Sequence, residues 1–196
     1  MTIDITTCVK VNIIDSCSIW NLLSSILLYN RIKTNGFHFS ITQFVEYECL
    51  FKERSNPVNH DKEIQERLRK TRENGAFSTH RLSIDDLQDS DVVKYSQHLG
   101  RGELSSIAFC KKTNQVFLTD DQKARKIAKS ILGIEKTQTV PHLVGWLFYE
   151  GILTDSDLEP IIEEHKKFDR PLEKYFRSVY SEAMRVKLMT RQSSPQ

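Results

Sequence analysis

The chain has 196 residues, enough for one well-buried domain and too few to argue for two. Its 28 basic and 26 acidic residues nearly cancel, so overall charge does not point to nucleic acid, and such binding would need a local basic surface set against a local acidic one. Nothing at the N-terminus reads as a signal peptide. The longest apolar stretch, "IWNLLSSILLYN", is broken by Asn21, Ser24 and Ser25 and is too short for a bilayer; a reduced cytoplasm is the expectation.

In chain order, "VNII" (11–14) reads as a short buried strand that ends on Asp15. "SIWNLLSSILLYNRI" (18–32) places Ile19, Leu22, Leu23, Ile26 and Leu27 on one helical face. After the turn "KTNG", "FHFS" (37–40) is a second strand. Ser40 and Gln43 stand at capping-box spacing, which predicts Ser40 as the N-cap of the helix in "SITQFVEYECLFK". "NHDKEIQERLRKTRENG" is a charged helix ended by Gly75, followed by a strand in "AFSTHRLSI". "DDLQDSDVVKYSQHLGRG" predicts one helix or two short ones, "ELSSIAFCKKTN" a helix, "QVFLT" (115–119) a strand and "DDQKARKIAKSIL" a helix. A short β segment near "TQTV" leads to helices in "PHLVGWLFYEG", "DSDLEPIIEEHKKF" and "PLEKYFRSVYSEAMRVKLM", and the polar tail "TRQSSPQ" is expected to fray. Short apolar strands alternating with helices indicate an α/β domain with a mostly parallel sheet of four or five strands between helical layers. Residues 1–154 carry the domain, and 155–196 form a helical extension packed on it.

The four cysteines, Cys8, Cys17, Cys49 and Cys110, match no zinc spacing and read as free, buried thiols. The acids are more informative. In open parallel sheets, sites form beyond the carboxyl ends of the strands, and two strands here end on acids: Asp15, and the pair Asp120–Asp121. Each also stands where an Asp would cap the next helix, so capping alone would explain it. In "ITQFVEYECLFK", Glu48 falls among Ile41, Phe44, Val45 and Phe51 at about 100° per residue, a costly place for a charge unless a metal or an Arg such as Arg125 compensates it. Glu46 points to the polar side and reads as solvated. Glu103 stands in the first turn of its helix, where the helix dipole favours a carboxylate. Four scattered carboxylates converging on one crevice would repel one another, and Mg²⁺ or Mn²⁺ is the usual remedy.

With this order of acids the chain resembles the PIN-domain ribonucleases, through "VNIIDSCSIWNLL", "ITQFVEYECL", "GRGELSSIAFC" and "VFLTDDQKARKIA", over roughly Val11 to Gly151. The third acid is Glu where many members have Asp, and the segment from about Asp155 onward has no part in the motif set. The resemblance implies a PIN-like three-layer α/β/α fold. It also implies a Mg²⁺- or Mn²⁺-dependent nuclease acting on single-stranded or loop RNA, with Asp15, Glu48, Glu103 and Asp121 as the catalytic set. Asp15, Glu103, Asp120 and Asp121 are the candidate metal ligands, with Asp120 and Asp121 as alternatives for one role. Ser16 and Thr119 are candidates for hydrogen bonds to the ligating acids or for substrate contact, and Lys123, Arg125 and Lys126 for a substrate phosphate, with Arg125 alternatively a structural partner of a site carboxylate. The basic residues Lys62, Arg67, Arg69, Lys70 and Arg72 could also grip a phosphate, or be neutralised by Glu63, Glu66 and Glu73. The C-terminal helix, with Leu172, Tyr175, Phe176, Val179, Tyr180 and Ala183 at helical spacing, packs on the domain or serves a homodimer or a partner such as an antitoxin. Rival readings are a catalytically silent PIN-like scaffold that binds RNA or protein, and a nuclease for structured DNA. An acid-nucleophile phosphatase fits poorly, because "DSCSI" lacks a second Asp two residues after the first.

Overall fold

The computed structural model describes residues 4–53 and 59–192. Its centre is a five-stranded, all-parallel sheet in the order β3-β2-β1-β4-β5, built from β1 (Val11–Ile14), β2 (His38–Thr42), β3 (Phe77–His80), β4 (Val116–Leu118) and β5 (Thr137–Gln138). Consecutive β1 residues face opposite helical layers, as strand pleating requires. Ile13, with Phe117 of β4, packs toward α7 (Arg101–Thr113) and α8 (Gln122–Leu132). Ile14, with Leu118, faces the larger core formed by α1 (Ser16–Ser24), α2 (Ile26–Thr34), α9 (Val140–Glu150), α10 (Asp155–Lys167) and α11 (Glu173–Gln192). Both faces of the sheet are therefore covered, in a three-layer α/β/α arrangement.

α3 (Gln43–Leu50) and α4 (Asn59–Glu73) follow β2 in sequence. The predicted stretch 85–102 resolves into two short helices, α5 (Ile84–Leu87) and α6 (Ser90–Val93). No helix among the described residues is long and apolar enough to cross a membrane. The last four residues of the expected frayed tail lie outside the described residues.

Several expectations change. The first long helix is two helices broken at Ser25, whose hydroxyl accepts from Leu28 N to cap α2 and donates to Glu164 of α10. Ser40 is not a cap. β2 runs two residues further because Ile41 and Thr42 pair with Thr79 and His80, so Thr42 becomes the N-cap of α3 and accepts from Val45 N. Ser40 instead meets Ser78 and His80 across the strands at 2.9 and 3.1 Å. The expected apolar face of α3 is buried only in part: Ile41 and Val45 are inside together with Cys49 and Leu50, whereas Phe51, the C-cap, is 65% exposed. Cys49 and Cys110 are buried as expected, but Cys17 is exposed.

The C-terminal helices complete the larger core. Gly145 of α9 lies against Val179 and Ile5, so a Cβ there would crowd both. Phe148 meets the ring of Tyr180 at 5.0 Å, and Phe176 meets the ring of His165 at 4.8 Å. Tyr175, expected on the packed face, is 56% exposed.

Candidate active site

β1 and β4 are adjacent and parallel, so the residues that follow them emerge side by side. Asp15 caps α1 by accepting from Ser18 N at 2.8 Å, and Thr119 donates its hydroxyl to the other carboxylate oxygen. Both Asp15 and Thr119 are buried. Burial raises the Asp15 pKa to about 7, against the lowering effect of its hydrogen bonds. The capping role and a site role are thus compatible at this position.

A second pair of acids meets at the N-terminus of α7. Glu48 reaches over from α3 and accepts from the backbone N–H of Gly102 at 3.1 Å and from the Ser16 hydroxyl at 3.3 Å. Gly102 is what permits this, because a Cβ there would run into the Glu48 carboxylate. A buried hydroxyl contact of 2.7 Å between Thr42 and Ser105 fixes α3 against α7. The N-cap Gly100 has no side chain to satisfy the first N–H groups of α7. The Glu103 carboxylate folds back toward them, interacting with its own N–H and that of Gly100. Burial first, then repulsion from Glu48 and Asp121, raises its pKa. Its Oε2 atom is buried without a hydrogen-bond partner.

The two acids after β4 differ in their surroundings. Asp120 accepts from Asn21 at 2.8 Å and from Val140 N, at the start of α9, at 2.9 Å. Both of its oxygens are therefore occupied, and burial raises its pKa. Asp121 caps α8 through one oxygen, which accepts from Ala124 N at 2.6 Å. Its other oxygen has no hydrogen bond among the described residues.

Asp15, Glu48, Glu103, Asp120 and Asp121 thus gather at the carboxyl edge of β1 and β4, together with Ser16 and Thr119. Among the described residues, no three His, Cys, Asp or Glu side chains close into a ready-made metal cage. The donor set is all oxygen, which suits Mg²⁺ or Mn²⁺, and the unpartnered Glu103 oxygen beside two like charges is a group a cation would satisfy.

Arg125 does not compensate Glu48. It lies beside Asp120, with its guanidinium 3.5 Å from the Asp120 carbonyl. Glu46 is not simply solvated but pairs with Arg72 at 2.5 Å. Arg67, Arg69, Lys70 and Arg72 of α4 each have an acidic partner, as do Lys111 and Lys112 of α7. By contrast Lys123, Arg125, Lys126 and Lys129 of α8 form no ion pair among the described residues. Sequence reasoning missed Asn21 and Gly102. The first looked like a break in an apolar face, and the second like a helix stop.

A family model described as a PIN domain matches residues 12–182. No curated protein and no solved structure matches the chain.

Proposed function

The chain belongs to the PIN-domain family, and from that premise we propose that it is a divalent-metal-dependent endoribonuclease. PIN domains are as a class nucleases that act on nucleic acids, generally with divalent metals. The observation that carries the finer reading is the half-buried Glu103, whose Oε2 atom is buried and unpartnered and whose carboxylate is repelled by Glu48 and Asp121. Carboxylates held this close repel, and a cation or a proton relieves the repulsion.

Asp15 and Asp121 would hold one or two Mg²⁺ or Mn²⁺ ions, with Glu48 and Glu103 ligating or orienting water. The metal, when bound, lowers the pKa of that water and offsets charge on the leaving oxygen. Asp121 is favoured over Asp120 because both Asp120 oxygens are engaged by Asn21 and Val140. Ser16 steadies Glu48 and Thr119 steadies Asp15, which supports them as positioning residues. Lys123 and Arg125 adjoin the acids on α8 and suit a substrate phosphate. A role as the toxin of a toxin–antitoxin or phage-defence pair, with a protein covering the acidic crevice, belongs to the same proposal.

The test is a cleavage assay on mixed RNA and DNA substrates with Mn²⁺, alongside Asp15→Asn. RNA cleavage that needs the metal and is lost in a folded Asp15→Asn variant supports the reading. Cleavage that survives both EDTA and Asp15→Asn removes the metal mechanism. A preference for structured DNA shifts the substrate. The open arrangement of the acids, short of a closed cage, is what favours the second reading, a silent scaffold. Negligible Mn²⁺ binding by calorimetry would establish it.

A further inference from the structure

A cavity of about 500 Å³ opens from Asp120 between α8, β5, α9 and α11. Arg125 and Lys129, one turn apart on α8, line one side, and Tyr175 of α11 lines another. Thr137, Thr139 and Ser178 add hydroxyls, and Asp120 is the one acid among the described residues that line it. His142 also lines it, but burial lowers its pKa, so it adds little charge near neutral pH. Lys129, Thr137 and His142 continue into a second cavity of about 460 Å³ beside Cys8 and Val9.

We propose that this groove takes an unpaired strand of the substrate leading away from the acidic site, with a base stacked on Tyr175 and phosphate against Arg125 and Lys129. The proposal rests on the nuclease reading for its choice of RNA, and on the groove itself for the rest. Three features point to this ligand. Lys123, Lys126 and Lys129 of α8 form no ion pair among the described residues and Arg125 only adjoins Asp120, whereas Arg67, Arg69, Lys70 and Arg72 of α4 and Lys111 and Lys112 of α7 are paired with acids, so the charge of α8 remains available to a polyanion. Tyr175 is 56% exposed on a helix whose neighbouring aromatics, Phe176 and Tyr180, are packed inward. A cationic groove bearing an exposed aromatic ring is the arrangement by which single strands are held, since every unpaired base offers a face to stack. A duplex hides those faces in its own stack and could offer Tyr175 none. The first cavity has the volume of a small-ligand site, suited to a nucleotide rather than a helix.

The probe is a fluorescently labelled short oligouridylate, its binding to the full chain followed by anisotropy in EDTA so that nothing is cut. An oligothymidylate and an RNA duplex serve as comparison arms. The single-stranded RNA should bind and the duplex should bind less well. Tyr175→Ala should weaken binding on the order of tenfold, while Tyr175→Phe, which keeps the ring, stays within about twofold of wild type. Lys129→Gln should weaken binding and flatten the logarithmic salt dependence by about 0.7, the share of one phosphate contact on a single strand. The groove is overturned if wild type does not bind, if Tyr175→Ala binds as wild type does, or if the duplex binds as tightly as the single strand. Tighter binding of oligothymidylate keeps the groove and overturns RNA as its ligand. Cleavage with Mn²⁺ is scored separately: cleavage with an indifferent Tyr175 removes only the groove, and binding through Tyr175 without any cleavage removes only the nuclease reading.

Discussion

The side-chain amide of Asn21 donates to Asp120 at 2.8 Å, joining α1 to the end of β4. The same residue's carbonyl lies 2.8 Å from Nε2 of His165 on α10. A segment outside the motif set therefore reaches the acidic edge through one buried amide. Asn21→Leu removes the donor and leaves a largely buried Asp120 oxygen without its partner, at a cost of about 1–3 kcal/mol. Asn21→Asp should cost more, because it sets a second carboxylate against Asp120. Urea denaturation should rank wild type, Leu and Asp in falling order. Equal midpoints for wild type and Asn21→Leu would show the tie to be energetically idle.

The Glu48–Gly102 contact predicts a separation of stability from activity. Gly102→Ala places a Cβ where the Glu48 carboxylate sits, and the end of that side chain can swing away. Alanine is also the better helix former, by about 1 kcal/mol. The variant should melt at or above the wild-type temperature while Mn²⁺-dependent cleavage falls by up to about a hundredfold, the loss a misplacement of about an ångström can cause. Unchanged cleavage would mean that Glu48 need not be held at α7.

Thr119 is the donor to the second oxygen of a buried carboxylate, and it also accepts from Asp121 N at 3.2 Å. Thr119→Val keeps the shape and deletes both bonds, which should cost about 1–3 kcal/mol at neutral pH. Thr119→Ser keeps the hydroxyl and should recover most of that loss. Thermal melts of the two variants decide whether the hydroxyl or the methyl matters here.

Much of this edge is legible in the amino-acid sequence because its causes are local. An apolar run that ends on Asp before a helical pattern marks both a strand end and a cap: Asp15 caps α1 directly after β1, and Asp121 caps α8 three residues after the end of β4. What escapes local reading depends on distant partners. Helical periodicity runs straight through Ser25, and the break there is secured by Glu164 of α10. Ser40 and Thr42 are equally good caps on paper, and the pairing of β2 with β3 decides between them. Helical periodicity groups Glu48 with Ile41, Phe44, Val45 and Phe51, and of these Ile41 and Val45 are buried whereas Phe51 is exposed. The position of Glu48 beside Glu103 comes instead from the α3–α7 contact at Thr42 and Ser105 and from the missing side chain of Gly102. Asn21 carries no local signal at all, since its partners lie on β4's edge and on α10.

His165 supplies a pH dependence. It is 1% exposed, with Nδ1 2.7 Å from the Ile161 carbonyl and Nε2 2.8 Å from that of Asn21. A neutral ring has one N–H and can donate to only one of these carbonyls, whereas the charged ring could donate to both. Burial nevertheless outweighs the carbonyls and holds its pKa below the ordinary 6.5. His142 is depressed for the same reason. The unfolded chain therefore takes up these protons first as pH falls. The stability that these two histidines contribute is complete above 6.5 and is lost progressively as pH drops through their lower folded values. The carboxylates of Asp15, Glu103 and Asp120, raised by burial, act with the opposite sign over this range, so the histidine effect is read as the difference in urea midpoint between wild type and a variant without the imidazole, from pH 8 to pH 5. His165→Gln, which keeps one amide donor and cannot charge, should start less stable and close on wild type as pH falls. A slope identical to wild type would move the effect to His142.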